Sequence, residues 1–281
     1  EIKDAGIQYH RSGIGLKNKG GNDLYERIFS SNKNDFNKTK KTWYGKLIES
    51  YMISEKTDEW FNLDYKDVLN KNESVSFSSD AFSIKTKILW RQTAPHLKAV
   101  IDYEGRWFRN TIQCAWLKKE WESKFTLEFC LALCNSKTIS FYYNQIVREA
   151  GRVFPQVKIK HVKKLPIIQP DKTIQLNISN IVKYLLFLNI KESPIKIFFI
   201  KLIDAAIYEL FFPDAIKLYN AEIIKYLSNI PSFINECNDE IKIKTINKVF
   251  NELSNQEHPV SIAIEKMKRV PEVRNIEGID K

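Results

Sequence analysis

At 281 residues and 43 % hydrophobic, the chain is long enough for one large domain or two modest ones, and its 17 Phe, 12 Tyr and 6 Trp exclude wholesale disorder. Its apolar runs are broken by Lys, Asp or Glu short of the roughly 18 residues a bilayer span needs, and no signal peptide is read, so no membrane partner and a cytoplasmic location are expected. The formal net charge of +10 is one-sided: residues 1–170 hold 29 Lys and Arg against 19 Asp and Glu, whereas 171–281 hold 15 of each, which points to a polyanionic partner.

Residues 1–41 are rich in Gly, Asn, Lys and Ser and show no hydrophobic period, which reads as a linker. The chain starts at Glu1, which suggests a processed chain or a fragment. Gly13 and Gly15 form a lone GxG with no phosphate cradle after it, so no nucleotide site is read there. From 42 to 116 the pattern is mostly β. "AFSIKTKILWR" (81–91) reads as a strand, and "HLKAVIDYEGRWFRNTIQCAWL" (96–117) as a hairpin turning at Glu104-Gly105, where Gly105 supplies a positive φ. Trp43 and Tyr44 read as core packing more than as stacking surfaces.

Residues 119–150 turn helical, with Phe125, Leu127, Phe129, Leu131 and Leu133 around a buried helix and Gly151 as the stop after a Tyr-rich second helix. Cys130 and Cys134 stand four apart there. With Cys114 and Cys237 they form no CxxC pair, and they read as small buried side chains in a reducing cytosol.

The next stretch, "FPQVKIKHVKKLPI" (154–167), carries Lys158, Lys160, His161, Lys163 and Lys164 and no acid. "FPQVKI" alternates as a short strand, with Val157 and Ile159 on one face and Lys158 and Lys160 on the other. "HVKKLPI" fits one helical turn with Val162 and Leu165 inward, the cations outward and Pro166 at its end. The apolar residues thus anchor a rigid basic platform, and ordered lysines lose less entropy on meeting phosphate than a floppy run would.

Beyond 171 the chain reads as successive helices near 176–190, 194–212, 215–230, 232–256 and 259–270, broken at Pro194, Pro213, Pro231 and Pro259. The expected fold is mixed α+β: a linker over 1–41, an α/β module with β-hairpins over 42–170, and an all-helical subdomain over 171–281.

No catalytic constellation stands out, and no metal site is expected. The two adjacent prolines of an adenine-methylating loop occur nowhere. Pro213, Asp214, Glu222 and Lys225 superficially resemble a metal-dependent nuclease motif. Their Glu-to-Lys spacing is three in a helical context, which reads as a helix start followed by an ion pair. His10, His96, His161 and His258 are scattered.

"ILWRQTAPHLKAVIDYEGRWFRNTIQCAWL" followed by "LEFCLALCNSKTISFYYNQIVREAGRVFPQVKIKHVKKLPI" resembles the TaqI-like C-terminal specificity domain. The resemblance rests on the order of its motifs: Arg91-Gln92-Thr93 at a strand end, Asn135-Ser136-Lys137 at a helix end, Gly151 to Ile159, and the Leu165-Pro166-Ile167 close. Cys134 stands where the pattern has Leu. "KLIDAAIYELFFPDAIK" (201–217) resembles a helix found downstream in long members.

The resemblance implies the target-recognition part of a type II restriction-modification enzyme, an adenine-N6 DNA methyltransferase often fused to a nuclease. Its partners would be double-stranded DNA and an upstream methyltransferase domain. S-adenosylmethionine, and Mg if a nuclease is fused, would belong to the parent protein and no cofactor to this segment. Phosphate contacts are expected from Arg152, Lys158, Lys160, His161, Lys163 and Lys164, and base reading from Arg91, Gln92, Arg106, Arg109 and Asn110. Two other readings stand beside this one: an autonomous nuclease, which needs a carboxylate cluster, and a helical interaction scaffold of a DNA-defence system that docks or dimerises through "FFIKLIDAAIYELFF" (198–212).

Overall fold

The structure is a computed structural model that describes residues 1–12, 21–147 and 156–279. Its first strands are short: β1 (Ile2–Lys3), β2 (Gln8–Arg11), then helix α1 (Gly21–Ile28), β3 (Phe29–Ser30) and β4 (Thr39–Trp43). The described residues of the segment expected as a linker therefore form regular elements, with Ala5, Ile7, Leu24, Ile28 and Phe29 all buried. Strands this short show no period of two, whereas Leu24 and Ile28, four apart, give α1 one apolar stripe. Gly13 and Gly15 lie outside the described residues.

The β half continues through β5 (Ile48–Glu49), β6 (Met52–Ile53), β7 (Trp60–Asn62), β8 (Glu73–Ser76) and α2 (Ser79–Ser83). It closes with β9 (Lys87–Arg91), β10 (Ala99–Asp102), β11 (Trp107–Phe108) and β12 (Ile112–Ala115). One antiparallel sheet runs β1-β12-β9-β10, and a second runs β11-β4-β7-β3 with β11 parallel to β4. The first sheet is buried on both faces. Ile88, Trp90, Ala99 and Ile101 join the core shared with the helices, while Leu89, Val100, Ile112 and Cys114 join an aromatic core under the second sheet. In that second core the rings of Phe82 and Trp107 stack at 4.6 Å.

Two β expectations need correction. The strand expected over 81–91 starts only at Lys87, because Ser79–Ser83 is helical. The hairpin at Glu104-Gly105 does not form: β10 pairs with β9, and β11 pairs with β4. Gly105 does adopt a positive φ of 72°. The Asp102 carboxylate accepts from the amides of Glu104 and Arg106 at 3.0 and 2.8 Å, and this turn sends the chain from one sheet into the other.

Helices follow: α3 (Leu127–Asn135), α4 (Lys137–Val147), α5 (Ile159–Val162), α6 (Lys172–Leu188), α7 (Pro194–Phe211) and α8 (Pro213–Leu218). Then come α9 (Ile224–Leu227), α10 (Asp239–Leu253), α11 (Pro259–Met267) and α12 (Pro271–Glu277). The fold is thus mixed α+β with a helical C-terminal part. Proline opens α7, α8, α11 and α12, where its missing N–H costs nothing.

The helix expected over 215–230 is broken. Ala221–Ile223 is not helical, and the Glu209 carboxylate accepts from the amides of Ile223 and Ile224 at 2.5 and 2.9 Å. The helix expected from 232 starts at Asp239, capped by the Asn238 side chain. Asp214 lies in the first turn of α8, and Lys225 pairs with Glu222 at 3.7 Å.

Most of α7 is interior, from Phe199 through Leu202, Ile203 and Ala205 to Tyr208. "FFIKLIDAAIYELFF" is therefore largely a core helix, with Phe198, Phe211 and Phe212 half-buried. Its core is continuous with the first sheet through Trp90, Phe129, Ile178 and Ile203. Among the described residues no helix is long and apolar enough to cross a membrane.

Candidate nucleic-acid interface

The basic segment is reached through one anchored dipeptide. Gln156 bridges antiparallel to Thr93, and the Val157 amide donates to the Gln92 carbonyl at 2.7 Å with the Val157 side chain fully buried. Of the strand expected over "FPQVKI", residues 154–155 lie outside the described residues, and the rest shows that bridge and then the start of α5 at Ile159. From Lys158 the chain turns into α5, with the His161 and Val162 amides donating to the Lys158 carbonyl at 2.9 and 3.1 Å. The turn extends to Leu165, whose amide donates to the Val162 carbonyl at 3.2 Å.

The turn faces as its sequence predicts. Val162 is buried and Leu165 half-buried, whereas Lys160, Lys163 and Lys164 are exposed. Lys158 and His161 are half-buried, and the His161 ring meets Tyr143 edge-on at 6.3 Å. Arg152 lies outside the described residues, as does Gly151.

Tyr143 on α4 is only 2 % exposed, and its hydroxyl brackets the anchor. It donates to the Gln156 carbonyl and accepts from the Lys158 amide, both at 3.1 Å. An irregular segment has to find partners for its backbone outside itself, and residues 156–158 find them on Gln92 and Tyr143.

Three of the five base-reading candidates share this edge. Arg91 ends β9 and faces Ile112 across the ladder, while the Gln92 amide donates to the Thr111 carbonyl at 2.8 Å, next to Asn110. Arg91 is braced by Glu49 at 3.0 Å and by the Thr93 carbonyl at 2.9 Å, and Glu49 also holds Lys98 at 2.6 Å. Burial, with Lys98 nearby, lowers the pKa of His96, so its imidazole adds no charge here at neutral pH. A Cβ on Gly45 would lie 2.7 Å from the Thr111 carbonyl oxygen, so only glycine allows this close approach.

Arg106 and Arg109 lie on other elements and are each held by carboxylates. Arg106 is 7 % exposed and is held by Asp102 at 2.8 Å and Glu55 at 2.5 Å, over the Trp43 ring. Asp102 in turn faces Lys87 at 3.1 Å, with both side chains fully buried. Arg109 pairs with Glu59 at 3.1 Å and lies over Tyr25 and Phe29 at 5.2 and 5.1 Å. Tyr25 also donates to Glu59 at 2.8 Å. Burial raises the Glu59 carboxyl, and burial beside Glu59 pushes the Tyr25 hydroxyl up to about 12. Arg106 thus packs between Asp102 of β10 and Trp43 of β4, and Arg109 between Glu59 and the rings of Tyr25 and Phe29. Trp43 is likewise a core residue, its indole N–H donating to the Ser54 carbonyl at 3.0 Å.

Sequence reasoning missed Tyr143, Gln156 and Glu49. Adjacency offered no signal for them, because their roles depend on which strand end the basic segment docks against. Among the described residues, no group of three or more His, Cys, Asp or Glu is placed to hold a metal ion. Burial pushes the Cys130 and Cys134 thiols up to about 11 and about 12, far from thiolate chemistry.

The arrangement is a rigid cationic turn fastened to polar strand ends, with no acid between 156 and 167. Residues 30–167 match the family model for the TaqI-like C-terminal specificity domain. The matched stretch ends at Ile167, so it contains both the basic turn and the strand ends it docks on. No curated protein matches the chain.

Proposed function

We propose that this chain, whose residues 30–167 match the TaqI-like C-terminal specificity domain, reads double-stranded DNA for a type II restriction-modification enzyme. The single observation that carries the reading is the Val157–Gln92 bond, which fastens the lysine turn to Arg91-Gln92-Thr93 within the matched stretch. Lysines meet phosphates without regard to sequence and set the register. Strand-end side chains with paired donors and acceptors then read base edges. Lys158, Lys160, Lys163 and Lys164 supply the first function, with His161 beside them, and Arg91, Gln92 and Asn110 the second.

The parent enzyme on this reading is an adenine-N6 methyltransferase, with or without a fused endonuclease. Its catalytic domain lies upstream and works in the cytoplasm. S-adenosylmethionine and any Mg would belong to that parent. The role of the segment is to clamp one face of the duplex while the target adenine is turned out of the stack.

The test is a salt titration of duplex binding by anisotropy. With about four phosphates neutralised, log K falls against log salt with a slope of about −3 to −4. Affinity that stays constant between about 50 and 200 mM NaCl would contradict phosphate contact by these lysines.

A further inference from the structure

We infer that Tyr143 is the positioning residue of the DNA-reading edge, its hydroxyl setting the lysine turn in register with the Gln92 strand end. The inference rests on the DNA reading proposed above. Among the described residues, Val157 N–H bonds to Gln92, Gln156 C=O and Lys158 N–H both bond to Tyr143, and the Lys158 C=O accepts from the His161 and Val162 amides. The Val157 side chain and its amide fix one point. Val162 seats the turn in the core beyond that point, and the way the turn leaves Val157 sets where Lys160, Lys163 and Lys164 stand.

The Tyr143 hydroxyl sets that exit because it acts on both sides of Val157 at once, as donor to one peptide and acceptor from the other. A phenolic oxygen can do both, and phenylalanine of the same shape can do neither. Tyr143 is itself fixed. It lies on α4, whose first residue, Lys137, donates its amide to the buried Asp204 of α7 at 2.9 Å. This hydroxyl, beside the core packing of Val162, therefore aligns the turn with the helical core, and its lysines meet phosphates already ordered.

The test compares the full chain with Tyr143→Phe and with Ile139→Val, a core change on the same helix that leaves the hydroxyl in place. Tyr143→Phe is expected to bind duplex about tenfold more weakly at 100 mM NaCl. Its salt slope should be shallower by about one, as though one phosphate contact were lost. Exchange of the Lys158 amide should quicken. Ile139→Val should change melting by a similar amount and leave the slope unaltered.

A Tyr143→Phe variant that binds with wild-type affinity and slope overturns the inference and leaves the DNA reading standing. The same holds if Ile139→Val loses slope equally, since the effect would then be general softening. If the wild-type chain itself shows no salt-dependent binding, the DNA reading fails and takes this inference with it.

Discussion

The Val157 amide donates to the Gln92 carbonyl over 2.7 Å, and this contact joins a basic segment to a strand end far from it in sequence. Around it lie exposed Lys160, Lys163 and Lys164 on one side and Arg91, Gln92 and Asn110 on the other. Positive charge and polar strand-end side chains thus share one edge.

Phosphate and base contacts separate by mutation. Lys163→Ala with Lys164→Ala should weaken binding to all duplexes alike and make the salt slope shallower by about 2, with melting unchanged because both side chains are exposed. Gln92→Ala should instead alter preference among sequences by about 1–3 kcal/mol. Competition binding with a randomised duplex pool reads both.

Arg106 should behave as a structural residue. Arg106→Ala leaves the fully buried Asp102 with fewer donors, and Asp102→Asn leaves Lys87 buried without its counter-charge. Losing one partner of a buried pair costs about 3–5 kcal/mol. Urea unfolding should show that loss for Asp102→Asn, while Arg106→Ala should lower the midpoint without shifting base preference in whatever fraction remains folded.

The Asp204 carboxyl is raised to about 7, chiefly by burial, against the opposing pull of the Lys137 amide. Lys137, Glu277, Tyr208, Lys201 and Lys268 share its cavity. The folded state therefore holds the proton more tightly than the unfolded chain does. Stability from this group is greatest below about pH 4 and falls as pH rises towards 7. Asp204→Asn keeps an acceptor for the Lys137 amide and should remove that fall from a series of melts across pH 4 to 8.

Glu73 has the opposite sign. Arg27 and Arg11 grip its carboxylate at 2.7 and 2.6 Å and hold it well below the ordinary range. Its contribution is present above the unfolded value near 4.5 and is lost as pH falls below it. Glu73→Gln should detach β8 from α1, lowering the urea midpoint at pH 7 and flattening the acid limb of the stability curve.

The basic turn was legible in the sequence because its logic is local: Val162 and Leu165, three apart, face the core and the lysines follow outward. Helix starts were legible where proline marks N1, as at Pro194, Pro213 and Pro259. Residues 1–41 were not, because their strands are too short to show a period. The partners of Arg106 and Arg109 were hidden as well. Glu55 and Glu59 reach them only once β4 lies beside β11. An arginine near a turn looks the same in sequence whether it faces a groove or closes a core.

Lysine acetylation footprinting of the full chain, with and without a saturating duplex, tests the shared edge most directly. Protection is predicted at Lys158, Lys160, Lys163 and Lys164, with exposed Lys244 and Lys248 of α10 labelled as before. Duplex that protects the α10 lysines and leaves the α5 turn fully reactive would contradict the account.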